Sequence, residues 1–377
     1  MIYALYSNDY EVFLGGNYTS ENEVLIKPTE DVLSACDEIG VPMTLFCDLA
    51  CLWRYRELGK NEFPEAVDKQ LVDALGRGHD VQTHIHPHWF ETEISQNNEG
   101  YSAYNFDLSK FLLGNLVPKG NSTSYDMYVE IFKRAKLYLE QLLQPVNPNY
   151  QNIAFRAGGY GIQPHTKQIF KALSDVGYLI DSTIVPGMEY DSNVNRIDFT
   201  KVPTLGNYYV SPELGLDAAA GNGLFEIPVL ALRPGEANWL LGMAFFRKIL
   251  RYFGNHSKPK PLGYPIQSTD TSAKQPTLFR QILDELEIVK KGWMMMELSS
   301  DVKSMVAATR NYISLYSRTD EDLYFSVSCH SKSTNADILD AFKKYHKCLE
   351  SIYGDEFKAI SYQEAGLELK EIKGSSN

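Results

Sequence analysis

Short apolar segments alternate with amphipathic helical segments along this chain, and this alternation limits the fold that it can adopt. The apolar segments have the length and composition of β-strands: 2–6, 41–47, 80–84, 152–155, 178–180, 224–229 and 323–328. The helical segments between and after them are 29–39, 65–77, 128–143, 165–176, 239–253, 275–291 and 334–353. Repeated strand–helix–strand units favour parallel pairing with right-handed crossovers. We therefore predict an α/β fold, a (β/α) barrel of about seven parallel strands.

Four of the eight histidines fall between residues 79 and 88. His84, His86 and His88 lie at or just after the C-terminal end of the predicted strand 80–84, with Pro87 stiffening the turn between them. Strand ends are where α/β proteins place their functional groups, and neutral imidazole is the commonest protein ligand for a metal. We predict that this segment binds a divalent metal. The alternative is a polar loop that is rich in histidine.

Ionisable residues follow other predicted strands as well: Asp9, Glu11, Arg156, Asp181 and His330. Because alternate residues of a strand share a face, Asp9 and Glu11 could point into one site. A binding module would not need ionisable groups at so many strand ends, so the pattern indicates an enzyme. Structural roles remain open: Arg156 could bridge carboxylates, His330 could be a structural histidine, Asp181 could cap a turn and Glu11 could be solvated.

The chain is long enough for one large barrel or two ordinary domains. We predict a single domain over residues 1–370, with insertions at about 91–125 and 255–274, and a tail over 371–377. The first insertion is rich in Asn, Ser, Gly and Tyr and is either part of a substrate cleft or a surface loop. The second is rich in Pro, Lys and Ser and is predicted to be mobile.

Charge and hydropathy exclude several classes of function. The net charge of -12 argues against binding to nucleic acid or to anionic membrane surfaces, which require a basic face. No apolar run reaches the roughly 20 residues of a membrane span, and no signal peptide is recognisable at the start. The five cysteines are scattered and odd in number, so we expect reduced thiols in a cytoplasmic protein.

Together the strand-end motifs resemble the polysaccharide deacetylase family, carbohydrate esterase family four, which shares the nodulation-deacetylase homology. The resemblance extends from residue 2 to about residue 364. The motifs are similar to those of a variant subgroup with His-x-His-x-His and Arg-Ala-Gly motifs. Its elements here are Gly78-His79-Asp80 followed by His84 and His88, Arg156-Ala157-Gly158-Gly159-Tyr160, Asp181-Ser182-Thr183, and Ser328-Cys329-His330-Ser331.

The resemblance implies a distorted barrel of seven strands and one divalent metal bound by Asp9, His84 and His88. The implied metal is zinc, although two histidines and a carboxylate also accept cobalt, nickel, manganese or iron. His330 would act as the general acid, and Arg156 would pair with the catalytic base. The implied catalytic residues are Asp9, Glu11, Arg156, Asp181 and His330.

The first motif departs from the family pattern, which usually has two adjacent aspartates, one the base and one a metal ligand. Here the sequence is Ser7-Asn8-Asp9-Tyr10-Glu11. If Asp9 binds the metal, Asn8 takes the position of the base and cannot accept a proton. If Asp9 is the base, Tyr10 takes the ligand position and Glu11 is the residue that could substitute for it, so both assignments stay open.

The resemblance predicts a metal-dependent hydrolase that removes an N-acetyl or other acyl group from a sugar or polysaccharide precursor. Its substrates would be N-acylated, nucleotide-linked or lipid-linked saccharides used in bacterial surface polysaccharide biosynthesis. One alternative is a catalytically inactive deacetylase-like barrel that binds a sugar or a partner protein. Another is a different metal hydrolase with two metal ions, because His-x-His-x-His also occurs in amidohydrolase-like and cupin-like sites.

Overall fold

A mainly parallel β-sheet lies at the centre of the computed structural model, which describes residues 1–254 and 286–375. The strands of these residues, numbered along the chain, are β1 (Ile2–Tyr10), β2 (Thr44–Asp48), β3 (Asp80–Ile85), β4 (Glu93–Gln96), β5 (Ser102–Asn105), β6 (Ala154–Ala157), β7 (Ile180–Asp181), β8 (Glu189–Asp191), β9 (Arg196–Asp198), β10 (Tyr208–Val210), β11 (Leu224–Glu226), β12 (Ala231–Leu232), β13 (Met294–Met295), β14 (Leu323–Cys329) and β15 (Phe357–Ala359). Eight of them form one sheet in the order β10-β11-β7-β6-β3-β2-β1-β14, and β15 pairs with the beginning of β1. Along this order only β10 and β11 pair in the antiparallel direction.

The sheet is a curled half-barrel. The chain that follows β11 reaches β14 through isolated backbone contacts, in which the Leu230 amide donates to the Ser326 carbonyl at 2.8 Å. A second segment does the same, with the Leu298 amide donating to the Ser328 carbonyl at 3.0 Å. The predicted mainly parallel, helix-flanked sheet is therefore confirmed. The structure differs from the expected barrel of about seven parallel strands in two ways. The main sheet has eight strands in line, of which the edge strand β10 is antiparallel to β11. Isolated β-bridges, and not a continuous hydrogen-bond ladder, connect the segments after β11 to β14.

The helices of the described residues flank this sheet: α1 (Lys27–Asp37), α2 (Leu49–Glu57), α3 (Glu62–Gly76), α4 (Ser124–Leu143), α5 (Thr166–Val176), α6 (Asn238–Gly254), α7 (Val302–Tyr316), α8 (Ala336–Tyr353) and α9 (Tyr362–Ser375). Within these residues no helix combines the length and apolar character that a membrane span requires. The sequence predicted none of α2, α7 and α9. The predicted helix 334–353 begins two residues later, as α8, and Asn335 caps it, since its side chain accepts a hydrogen bond from the Ile338 amide at 3.0 Å.

The predicted connection over 255–274 lies outside the described residues, as does the predicted helix 275–291 up to residue 285. The insertion at 91–125 contains the β4–β5 hairpin and two short 3₁₀ turns, Leu108–Lys110 and Leu113–Asn115.

The side chains of β1 alternate between two hydrophobic clusters, as the two-residue period of a strand requires. Ala4 and Tyr6 belong to the larger cluster, which includes residues of the flanking helices. Tyr3 and Leu5 belong to a smaller cluster in which residues of β2, β6, β7, β11 and β14 meet Tyr362 and other residues of α9. The face of β1 that carries Tyr3 and Leu5 continues to the polar end of the strand, where the candidate site lies.

Candidate active site

A cavity of about 230 Å³ opens where the main-sheet strands end. Polar and charged residues on its wall come from the ends of β1, β2, β3 and β14, and apolar residues complete the wall. The lining residues are Asp9, Glu11, Val12, Phe13, Leu14, Asp48, His84, His86, His88, Trp89, Phe111, Gly159, Tyr160, Met295, Glu297, His330 and Lys332. Phe111 comes from the insertion at 91–125, so that insertion contributes to the cavity wall.

Glu11, His84 and His86 form a cluster whose candidate ligand atoms all lie within 4.8 Å of one another. The Glu11 Oε2 atom is 2.5 Å from His86 Nε2 and 3.5 Å from His84 Nε2. His84 Nδ1 lies 2.9 Å from the Arg156 carbonyl oxygen, which can only accept, so Nδ1 carries the proton. The neutral ring then has its lone pair on Nε2, a buried atom that has no hydrogen-bond partner. This donor set fits a divalent metal such as zinc.

Lys332 also contacts this cluster, because its Nζ atom donates to Glu11 Oε1 at 2.8 Å and to the Val12 carbonyl at 2.9 Å. Burial alone would raise the pKa of the Glu11 carboxyl. The nearby Lys332 ammonium and the ring of His86 outweigh this effect and hold that pKa well below its ordinary value. Glu11 is therefore an ionised carboxylate, and a solvated role for it does not agree with its position.

The cluster differs from the sequence-based ligand set of Asp9, His84 and His88. Glu11 and His86 lie beside His84, whereas His88 occupies a 3₁₀ turn over Pro87–Glu91. Residues two apart on an extended chain share a face, which places His84 and His86 together. The turn takes His88 out of the Glu11, His84 and His86 cluster, although His88 still lines the cavity and its ring centroid lies 5.4 Å from that of His86.

The His88 ring lies instead among aromatic side chains. Its centroid is 4.4 Å from that of Phe106 and 5.4 Å from that of Phe111, with the latter rings stacked. Burial, helped by neighbouring His86, lowers the pKa of His88 to about 2, so this histidine is neutral.

Asp9 pairs with Arg156, whose Nη1 atom donates to Asp9 Oδ1 at 2.5 Å. Arg156 is fully buried, and its guanidinium also donates to the hydroxyls of Ser7, Ser182 and Ser326. Although burial raises the pKa of Asp9, the guanidinium together with the nearby rings of His84 and His330 more than offsets it, and the pKa lies below its ordinary value. Asp9 is therefore an ionised carboxylate, and its other oxygen, Oδ2, accepts no hydrogen bond from the guanidinium.

His330 stands close to both carboxylates. Its Nε2 atom is 3.7 Å from Asp9 Oδ2 and 3.6 Å from Glu11 Oε1, distances that are too long for direct hydrogen bonds. Its Nδ1 atom lies 3.5 Å from Glu297 Oε1, and its side chain is 23% exposed. The structure thus brings His330 together with Asp9, Glu11 and Arg156, as the sequence predicted for one shared site.

Asp181 does not reach the cavity. Its side chain is fully buried at the end of β7, where Asp181 is in register with Glu226 of β11. The Thr183 hydroxyl donates to Asp181 Oδ1 at 2.6 Å. Asp181 is therefore part of the strand packing behind the site, beside Ser182, which binds Arg156.

Sequence reasoning did not identify four polar residues of the cavity: Asp48, Tyr160, Glu297 and Lys332. Asp48 directly follows the predicted strand 41–47, the same signal that singled out Asp9, so it could have been found. Tyr160 was quoted only as part of a motif. It has a buried hydroxyl without a hydrogen-bond partner and a left-handed backbone with φ of 60°. Glu297 carries no comparable sequence signal.

No protein-family model matches the chain, and no curated protein sequence matches it. Two solved structures have a similar arrangement. One, from Mycobacterium smegmatis, is provisionally described as a polysaccharide deacetylase; it is 11% identical, covers 99% of this chain and 91% of its own, and gives a TM-score of 0.47. The other is Puue allantoinase, 10% identical over 97% of this chain and 89% of its own, with a TM-score of 0.43. At these TM-scores the similarity assigns neither a family nor an activity.

Proposed function

We propose that the chain is a metal-dependent hydrolase with a deacetylase-like barrel, which removes an N-acetyl or other acyl group from a sugar or polysaccharide precursor. The observation that carries this proposal is the arrangement of Glu11, His84 and His86 beside the Asp9–Arg156 pair and His330. Ligands for a metal, an ionised carboxylate and a partly exposed imidazole are the groups that hydrolysis of an amide requires.

Glu11, His84 and His86 would hold the metal, which supplies an activated water and polarises the acyl carbonyl when it is bound. The buried lone pair on His84 Nε2 and the inward-facing Glu11 Oε2 support this ligand set. Of the two readings of the first motif, the geometry therefore favours Glu11 as the ligand and Asp9 as the base.

Asp9 would accept the proton of the attacking water at Oδ2, because Oδ1 is engaged by Arg156. The role of Arg156 is to hold Asp9 ionised and fixed in a buried position. His330 would donate the proton of Nε2 to the departing nitrogen, and its partial exposure gives the substrate access to it.

The rest of the cavity wall suits a saccharide. Trp89, Phe111 and Tyr160 offer aromatic surface, and the unpartnered Tyr160 hydroxyl can bond a substrate oxygen. Among the described residues of the wall, Lys332 is the one lysine or arginine, and it already pairs with Glu11. An uncharged N-acylated sugar unit, carried on a nucleotide or lipid and used for a bacterial surface polysaccharide, is the substrate that we infer.

The first experiment compares the wild type with the variants His84→Ala and His86→Ala. We expect about one bound zinc per wild-type chain by elemental analysis, and acetate release from a panel of nucleotide-linked and lipid-linked N-acetyl sugars. Both signals should fall to background in the two variants, because each loses a ligand. His165→Ala is the matched control, since His165 is only half-buried and bonds Tyr128 away from the cavity.

A wild-type protein that binds no metal in excess zinc, or that binds metal and releases no acetate from any substrate of the panel, would contradict the proposal. Equal loss of both signals in the His165→Ala variant would attribute the effect to folding.

A further inference from the structure

Four carboxylates line the cavity: Asp9, Glu11, Asp48 and the more exposed Glu297. The three buried or nearly buried ones differ in how their charges are compensated. Asp9 pairs with Arg156 at 2.5 Å, and Glu11 pairs with Lys332 at 2.8 Å. Asp48 has no ion pair with any lysine or arginine among the described residues, although only 3% of its surface is exposed.

The two oxygens of Asp48 have different surroundings. Oδ1 accepts a hydrogen bond from the His86 backbone amide at 3.1 Å. Oδ2 is buried and has no hydrogen-bond partner. In the register of β2 with β3, Asp48 is the direct neighbour of His84. The side chain therefore lies next to two of the three residues that would hold the metal, with one oxygen uncommitted.

A buried carboxylate without a partner is costly, so the protein must compensate its charge or neutralise it. The proposed metal site of Glu11, His84 and His86 lines the same cavity as Asp48. The charge of the ligands is important here. Lys332 already neutralises the Glu11 carboxylate, and His84 and His86 are uncharged ligands, so these three residues provide no net negative charge to balance a bound dication.

We propose that Asp48 is the second carboxylate of the metal centre, where it compensates the charge of the ion through Oδ2 and positions His86 through Oδ1. This inference rests on the proposed function, because it assumes that Glu11, His84 and His86 bind a metal. It adds a residue of β2 that the family resemblance did not include, and it gives a role to the oxygen that has no hydrogen-bond partner.

The test is the zinc affinity of the purified full-length protein, measured by competition with a chromophoric chelator, for the wild type and Asp48→Asn. The amide retains the volume and an oxygen for the His86 amide but removes the charge. We expect the dissociation constant for zinc to rise by about 10- to 100-fold, the range usual when a supporting group of a metal site is lost. The zinc-induced rise in Tm should shrink accordingly, while Tm without metal should not fall.

Asp80→Asn is the matched control, because Asp80 is equally buried but lies at the opposite end of β3, where Gln82 and the Val81 amide bond it. Its zinc affinity should equal that of the wild type. Unchanged zinc affinity in Asp48→Asn, with normal binding by the wild type, overturns the role of Asp48 alone. If the wild type itself binds no zinc, the result instead contradicts the proposed function. If Asp48→Asn does not fold, Asp48→Ser provides the same measurement, and wild-type affinity there also overturns the inference.

Discussion

At the scale of single residues, Arg156 is the side chain on which the site depends most. It is fully buried, it donates to Asp9, and its guanidinium carbon lies 4.2 Å from the centroid of the Phe46 ring. A buried ion pair need not stabilise a fold over an apolar pair, but removal of one partner leaves a charge in a medium that solvates it poorly.

We predict that Arg156→Met lowers the free energy of unfolding by about 3–5 kcal/mol, because it leaves the Asp9 carboxylate buried and unpaired. The double variant Asp9→Asn/Arg156→Met should recover a large part of that loss. Urea denaturation of the four proteins in the cycle measures the coupling. The matched control is Arg318→Met, which breaks the exposed pair with Glu321 and should leave stability unchanged. Additive effects at Asp9 and Arg156 would contradict the assigned pairing.

At the scale of elements, the ends of β3 and β6 approach each other so closely that one residue type is required between them. A Cβ atom at Gly158 would lie 2.5 Å from Cγ and 2.6 Å from Nδ1 of His86, and 2.6 Å from the Ile85 carbonyl oxygen. The side chain of His86 thus packs directly on the backbone that follows β6. The glycine of the Arg-Ala-Gly motif is explained by this contact.

We predict that Gly158→Ala weakens zinc binding by at least about 10-fold although it removes no ligand, because the added methyl group must displace the ring of His86. The chelator competition assay measures this change. Gly76→Ala is the control, since its new methyl group would meet nothing nearer than Val146 at 3.8 Å. If Gly158→Ala binds zinc as the wild type does, His86 is not a ligand in the position described.

Much of the main sheet and of the candidate site could be predicted from the sequence. The apolar runs located every strand of the main sheet except β10 and β15, and the strand-end residues Asp9, Glu11, His84, Arg156 and His330 do meet at one edge. The presence of His86 rather than His88 in the proposed ligand cluster could not be predicted. The three histidines are two residues apart and would share a face if β3 continued, and only the structure shows that a 3₁₀ turn over Pro87–Glu91 takes His88 out of the cluster.

At the scale of the whole molecule, the stability of the fold is linked to pH by the carboxyl pair of β7 and β11. Asp181 Oδ2 and Glu226 Oε2 are buried and have no donor, so a proton shared between the two side chains would satisfy both. Burial raises the pKa of Asp181 to about 6, and burial together with Asp181 raises the pKa of Glu226 well above its ordinary value. Unfolded carboxyls titrate near pH 4, so the folded state binds more protons above that pH.

We predict that this pair stabilises the fold fully below about pH 4 and progressively less as the pH rises through about 6 and beyond, since the native state must then release protons that it holds more tightly. Glu226→Gln supplies a permanent donor to Asp181. The free energy of unfolding of the wild type, taken relative to that of Glu226→Gln, should therefore fall between about pH 4.5 and 7. Urea denaturation across this range measures it, and Glu321→Gln at an exposed position should give a flat difference. A flat difference for Glu226→Gln would show that no proton is shared.

The sequence by itself determined the class of the fold and the edge of the sheet at which chemistry can occur. Strand and helix periods are local properties, and parallel strands bring their C-terminal ends to one edge whatever the loops between them do. Only the tertiary structure decided which charged groups meet within the site. Asp9 meets a guanidinium 147 residues away, and Glu11 meets Lys332 across 321 residues. The structure alone also showed that Asp48 pairs with no lysine or arginine of the described residues. The partners of a buried charge are set by packing among distant segments. Those partners distinguish the proposed base Asp9 from the proposed ligand Glu11, and both from Asp181, which lies in the strand packing behind the site.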